Sequence, residues 1–201
     1  MKHILYFILI ITCCKVQAQQ NEDFKKVSDY FKFHKKAIAE DFENQIKTEK
    51  NLIQKVMLES TMLDFAKRMD SMENNSYTYA LIASKNKEVL KPKQIKIKKQ
   101  NKKIEDNIAS YPGGFQALRQ EIHDIFYYSA RHETPVSYET KVKFQVNADG
   151  YITNVTAEGE NSVFNKQAEI AIYRLQHPFI PQYKDGYPIK SWFSLPIKMT
   201  F

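Results

Sequence analysis

The chain is poor in the residues that punctuate or cross-link a fold: two cysteines, one tryptophan and five glycines in 201 residues. Both cysteines, Cys13 and Cys14, lie in the first fourteen residues, so the chain beyond them has no disulfide or thiolate chemistry. No GxGxxG and no GxxxxGK[ST] occurs, which removes the glycine-rich loops that cradle nucleotide phosphates. The histidines His34, His123, His132 and His177 are scattered, and none pairs at the spacing of HExxH, which argues against a zinc site. Ser129-Ala130-Arg131-His132 places a serine near a histidine, but without the nucleophile elbow, orienting acid or oxyanion donors of a hydrolase. No enzyme, cofactor or metal is expected. Also missing is a run of about 20 apolar residues, the length that spans a bilayer.

The one apolar run stands at the start and is half that long. Lys2 and His3 form a basic n-region, residues 4–12 an apolar h-region, and Val16-Gln17-Ala18 a small-residue cleavage site, which predicts a signal peptide cut after Ala18 and a chain exported to the periplasm. The rival is a lipoprotein signal anchored through Cys13 or Cys14, although neither is preceded by the small residue usual there. Without Lys2 and Lys15 the basic count falls from 30 to 28 against 23 acids, a net charge of +5 rather than +7. A moderate positive charge favours anionic surfaces without naming one.

Residues 21–72 are nearly free of glycine and proline and rich in Lys, Glu, Gln and Leu, which predicts long helix. Leu58, Met62, Phe65, Met69 and Met72 follow at four, three, four and three residues, a seam of coiled-coil type, and Phe24, Val27, Phe31, Ile38 and Phe42 form an earlier partial stripe. Such a seam is buried either in a helical hairpin or by self-association, including a homodimer, or by a partner helix. Glu73-Asn74-Asn75-Ser76 is the expected helix break. Residues 84–103 follow as a lysine-dense bridge around Pro92, lacking the interleaved aromatics that stack bases, so it reads as a solvated linker with no nucleic-acid partner. Within it, Lys93-Gln94-Ile95-Lys96-Ile97-Lys98 alternates and predicts a short edge strand whose lysines discourage stray pairing.

From Tyr111 the pattern changes repeatedly. Phe115, Leu118, Ile122, Ile125 and Phe126 form one helical stripe. Tyr138, Val142, Phe144 and Val146 alternate with polar residues, as in a half-buried strand. Asn147-Ala148-Asp149-Gly150 predicts a turn into a second strand over 151–158, where Ile152, Val155 and Ala157 do not share one parity, which means either a bulge or strand bounds displaced by one residue. Ser162 is the candidate N-cap of a helix carrying Phe164, Ala168, Ala171, Ile172 and Leu175, which stops before Pro178. Ile189, Phe193, Leu195, Ile197, Met199 and Phe201 line a final strand. Pro196 cannot donate to a ladder, which argues for an edge position. An edge strand offers amides and carbonyls to an incoming extended peptide.

The Tyr111-Pro112-Gly113-Gly114 entry, the Asn147-to-Val155 hairpin, the helix ending near a proline, the Asp185-Gly186-Tyr187-Pro188-Ile189 step and the Leu195-Pro196-Ile197 finish together resemble the TonB C-terminal domain, in the variant common in Bacteroidetes. The likeness covers about the last ninety residues, and their order and spacing carry it. The glycine usual before the first strand is absent, and Leu175-Gln176-His177 stands where a tryptophan is common.

The resemblance implies a non-enzymatic domain, linked to transmembrane transport, that grips a short segment of an outer-membrane receptor by strand addition. The expected partner-strand site is Lys190, Ser191, Trp192, Phe193, Ser194, Leu195, Ile197, Lys198 and Met199. TonB proper has a spanning N-terminal helix and a long Pro-rich spacer, and this sequence shows neither. The expected partner is therefore a TonB-dependent receptor or another envelope protein. The alternatives are a structural envelope protein that self-associates through its N-terminal helices, or an energy transducer with an uncleaved short anchor. The expected organisation is a signal peptide (1–18), a helical region (19–84), a basic linker (85–110) and a TonB C-terminal-like domain (111–201). The fold class is α+β: an α-β-β-α-β unit with a three-stranded antiparallel sheet and two helices, preceded by an α-helical region.

Overall fold

A computed structural model describes residues 21–90, 105–128 and 134–201. The predicted signal peptide with Cys13 and Cys14, the alternating stretch 93–98, and Ser129 and His132 lie outside the described residues. Over the described residues the fold is mixed α/β, with four helices and a three-stranded antiparallel sheet.

Two long helices open it, α1 (Glu22–Thr48) and α2 (Leu52–Leu90). Asn21 caps α1 by accepting from the Asp23 amide at 3.0 Å. The helical stretch expected over 21–72 folds back at residues 49–51, as the hairpin alternative requires. There Asn51 Oδ1 accepts from the Ile53 and Gln54 amides at 2.9 and 3.3 Å and starts α2. The two helices form a hairpin: the Phe42 and Phe65 rings lie 6.3 Å apart, and Lys35 Nζ bonds Asp70 at 2.6 Å and Glu73 at 2.5 Å. Leu58, Met62 and Phe65 are half-buried and Met69 is buried. Met62, Phe65 and Met69 close a small apolar cavity with Ile38 and Phe42.

Met72 is a correction, because it is 57 % exposed. A straight helix drifts about 20° per heptad from a 3.5-residue seam, and beyond Met69 the buried positions move round to Tyr77, Ala80, Leu81 and Ser84. The expected break at Glu73-Asn74-Asn75-Ser76 is also overturned, since α2 runs through it. Ser76 Oγ donates to the Met72 carbonyl at 2.9 Å, so this polar side chain bonds the helix's own backbone instead of competing with it. Burial of Tyr77 and Leu81 then outweighs local propensity.

The C-terminal unit is α3 (Gly114–Ile125), β1 (Ser137–Val146), β2 (Ile152–Glu158), α4 (Ser162–Arg174), a small hairpin of β3 (Gln182–Lys184) and β4 (Tyr187–Ile189), and β5 (Ser191–Thr200). The sheet order is β2-β1-β5. Gly150 closes the β1–β2 turn with φ +82°, and a Cβ there would stand 2.2 Å from the Phe179 carbonyl oxygen. That combination admits only glycine. The parity break in β2 is a bulge: Lys143 faces Thr156 and Gln145 faces Thr153, so Asn154 and Val155 together oppose Phe144, and Asn154 takes φ 55°. The N-cap of α4 is Asn161, one residue before the expected Ser162: its Oδ1 accepts from the Phe164 amide at 2.9 Å, three residues on. Ile189 belongs to β4 rather than to the last strand, since it pairs with Gln182.

The helical hairpin and the sheet unit share one core, built from Phe24, Tyr77 and Leu81 on one side and Leu118, Phe144, Phe164, Ile172 and Leu195 on the other. Phe24 is fully buried between Tyr77 and Tyr173, with centroids 5.7 and 5.4 Å away. Arg174 lies 4.3 Å over the Tyr77 ring and donates to the Ile125 carbonyl at 2.7 Å. The expected linker start at residue 85 is corrected as well, because α2 continues to Leu90. Lys85 pairs with Glu169 at 2.6 Å and Lys87 with Asp23 at 2.6 Å. These lysines are structural because carboxylates on neighbouring helices face them.

Candidate functional site

A three-stranded sheet has two edges, and here they differ. On the β2 edge, side chains take up the outward amides. Glu88 accepts from the Asn154 amide at 2.8 Å, Glu169 accepts from the Ala157 amide at 3.0 Å, and the Tyr173 hydroxyl meets the Val155 amide at 3.5 Å. Tyr173 in turn donates to both Glu88 oxygens at 3.0 and 3.1 Å. Burial pushes the Glu88 carboxyl above its ordinary range, against the pull of the Asn154 and Tyr173 bonds. Burial, reinforced by the Glu88 charge, raises the Tyr173 hydroxyl far above the usual tyrosine range. This edge is closed to further pairing, and α2 and α4 close it.

The other edge is β5. Its ladder with β1 is continuous from Ser137–Thr200 to Val146–Ser191 without a bulge. One step beyond, Val136 and Phe201 exchange both backbone bonds at 3.0 Å. In an antiparallel ladder such reciprocal pairs alternate with non-bonded ones. It follows that Phe193, Leu195, Ile197 and Met199 direct their N–H and C=O toward β1. Trp192, Ser194, Pro196, Lys198 and Thr200 direct theirs outward. Pro196 thus sits where its missing N–H costs the ladder nothing and removes one donor from the free edge. Among the described residues no strand pairs with that edge.

A groove of about 860 Å³ separates the edge from α3, lined by Ala117, Gln120 and His123 on the helix and by Pro196, Lys198 and Met199 on the strand. Local sequence explains the helix wall. Gly113, at φ 78°, turns the chain into α3, and Leu118 and Ile122 are buried against the core, which leaves Gln116, Arg119, Gln120 and His123 toward the groove. Arg119, 5.6 Å over the Phe115 ring, and Lys198 add positive charge to the groove walls.

The expected site residues divide along this geometry. Leu195, Ile197, Lys198 and Met199 line the groove. Ser191, Trp192, Phe193 and Ser194 continue the same strand past it, with Trp192 64 % exposed. Phe193 is turned inward onto Phe144, 5.2 Å away. Lys190 stands between β4 and β5, outside the ladder. Leu58, Met62, Phe65 and Met69 are not part of this site: none lines the groove, and Met62, Phe65 and Met69 face α1. Sequence reasoning missed the α3 wall and the Glu88–Tyr173–Glu169 group that closes β2. The helical period of α3 marked its core face but not what faces its polar side, and no spacing links Glu88 to Asn154, sixty-six residues away. Among the described residues no three His, Cys, Asp or Glu side chains cluster as metal ligands would, and no helix is long and apolar enough to cross a membrane. No family model, curated protein or solved structure matches this chain.

Proposed function

We propose that this chain is a non-enzymatic, TonB-like binding module of the cell envelope that takes an extended segment of an outer-membrane receptor, or of another envelope protein, onto the free edge of β5. The observation that carries the reading is the asymmetry of the sheet. The β2 edge is closed by Glu88, Tyr173 and Glu169, whereas the β5 edge borders a groove long enough for residues 195–199. The resemblance of residues 111–201 to the TonB C-terminal domain supports the same use, and the signal-like first eighteen residues support a periplasmic setting. Each added main-chain bond nets about 0.5–1.5 kcal/mol, and ordering the peptide offsets part of the sum. Reversible, weak-to-moderate affinity follows, with Arg119 and Lys198 favouring a segment that carries acidic residues.

The test is an NMR titration of the chain from Gln19 onward, which contains every described element, with peptides from the periplasmic ends of outer-membrane receptors of the same organism. Strand addition predicts shifts and slowed exchange at the amides of Ser194, Lys198 and Thr200, while those of Leu195, Ile197 and Met199, already bonded to β1, change little. Uniform silence along β5 across a broad peptide set, with the spectrum of a folded protein, refutes the proposal.

A further inference from the structure

The outer face of α2 carries a second stripe, distinct from the seam that α1 covers. Met72, Asn75, Tyr79, Ile82, Asn86 and Val89 follow at three, four, three, four and three residues, the 3.5-residue period of a helix-pairing seam. All six are exposed, with Met72 at 57 %, Tyr79 at 75 %, Ile82 at 53 % and Val89 at 81 %. At about 100° per residue the stripe lies opposite Tyr77, Ala80, Leu81 and Ser84, which α2 buries. Apolar side chains repeated in register along five helical turns are a docking face rather than scattered exposure.

The order of residues identifies the occupant. The stripe reads apolar, Asn, apolar, apolar, Asn, apolar, and it reads the same backwards. Laid antiparallel on a second copy, Met72 meets Val89, Asn75 meets Asn86 and Tyr79 meets Ile82, and each pair recurs across a two-fold axis. An isologous interface requires this self-complementarity. Burying an asparagine is unfavourable without a partner, and the reversal gives each asparagine another. No residue of the stripe is charged, so a strongly charged partner finds nothing to match. The flanks agree: Thr78 falls opposite Ala83 near the axis, where small side chains permit close approach, and Lys85 falls opposite Ser76. Lys85 is already held by Glu169 at 2.6 Å, and no like charges oppose.

We infer that the chain forms a two-fold homodimer by antiparallel pairing of the α2 outer face over residues 72–89. This goes beyond strand addition and does not depend on it. Because the stripe faces away from the core that α2 shares with α4 and the sheet, a dimer presents two free β5 edges.

Sedimentation velocity on the chain from Gln19 onward tests the dimer. A concentration-dependent dimer is expected, and Tyr79→Lys and Ile82→Lys each weaken it at least about tenfold. Both side chains are exposed, so far-UV circular dichroism stays unchanged, as does the thermal midpoint at concentrations where the parent is monomeric. Because that chain contains no cysteine, mixing Met72→Cys with Val89→Cys reads the orientation: the mixed disulfide forms in preference to either self-pair. A monomer up to about 100 μM, where weak dimers are populated, overturns the inference. So does a dimer indifferent to both lysines, or a preference of Val89→Cys for itself, which marks parallel pairing.

Discussion

Two adjacent proline substitutions in β5 separate the ladder side of the strand from its free side. Lys198 directs its N–H outward and Met199 directs its N–H toward Tyr138, as the reciprocal Val136–Phe201 bonds and the unbroken register require. Lys198→Pro deletes no ladder bond. It narrows φ to about −65° in a strand that already accepts Pro196 on the same parity, and the expected destabilisation is below about 1 kcal/mol. Met199→Pro deletes the bond to the Tyr138 carbonyl and inserts ring carbons between paired strands. An acceptor left unsatisfied costs about 1–3 kcal/mol before the steric push is added.

Urea unfolding followed by far-UV circular dichroism measures both, and Met199→Ala supplies the share due to the lost side chain. The expected result is a midpoint for Lys198→Pro near that of the parent and one for Met199→Pro well below that of Met199→Ala. In peptide binding the order reverses: Lys198→Pro removes one donor from the free edge and weakens affinity about two- to tenfold. Equal destabilisation by the two prolines refutes the assignment of inward and outward groups, and with it the free edge as described.

Two further expectations concern how the helices hold the sheet. Phe24→Ala empties a fully buried site between Tyr77 and Tyr173, and such a truncation costs about 3–5 kcal/mol. One cooperative urea transition shifted by that amount is expected, whereas a loss below about 1 kcal/mol contradicts a core shared by the hairpin and the sheet. Glu88 has its folded pKa raised by burial above the ordinary 4.5, so its contribution is fully present below pH 4.5 and is lost as pH rises through the raised value. The stability difference between the parent and Glu88→Gln therefore shrinks from acid to neutral pH in urea unfolding, and a difference that grows with pH refutes this reading of the closed edge.

Local chemistry settled much of this protein in advance. The parity of Leu195, Ile197 and Met199, the turn at Asp149 and Gly150, and the broken parity of Ile152 and Val155 were legible because a strand's facing repeats every two residues; the ladder register decided that a bulge, and not displaced strand bounds, breaks it. Pro196 marked its strand as an edge because a missing donor is a property of the residue itself. Tertiary structure alone decided where α2 ends and what its two faces do. A run such as Glu73-Asn74-Asn75-Ser76 has weak helix propensity, differing by tenths of a kcal/mol per residue, and burying Tyr77 and Leu81 is worth more. Tertiary structure also decided which edge stays open, because Glu88, Glu169 and Tyr173 reach the β2 amides across long stretches of chain. Composition and spacing record which side chains can bond; which backbone amides they find depends on how the helices dock.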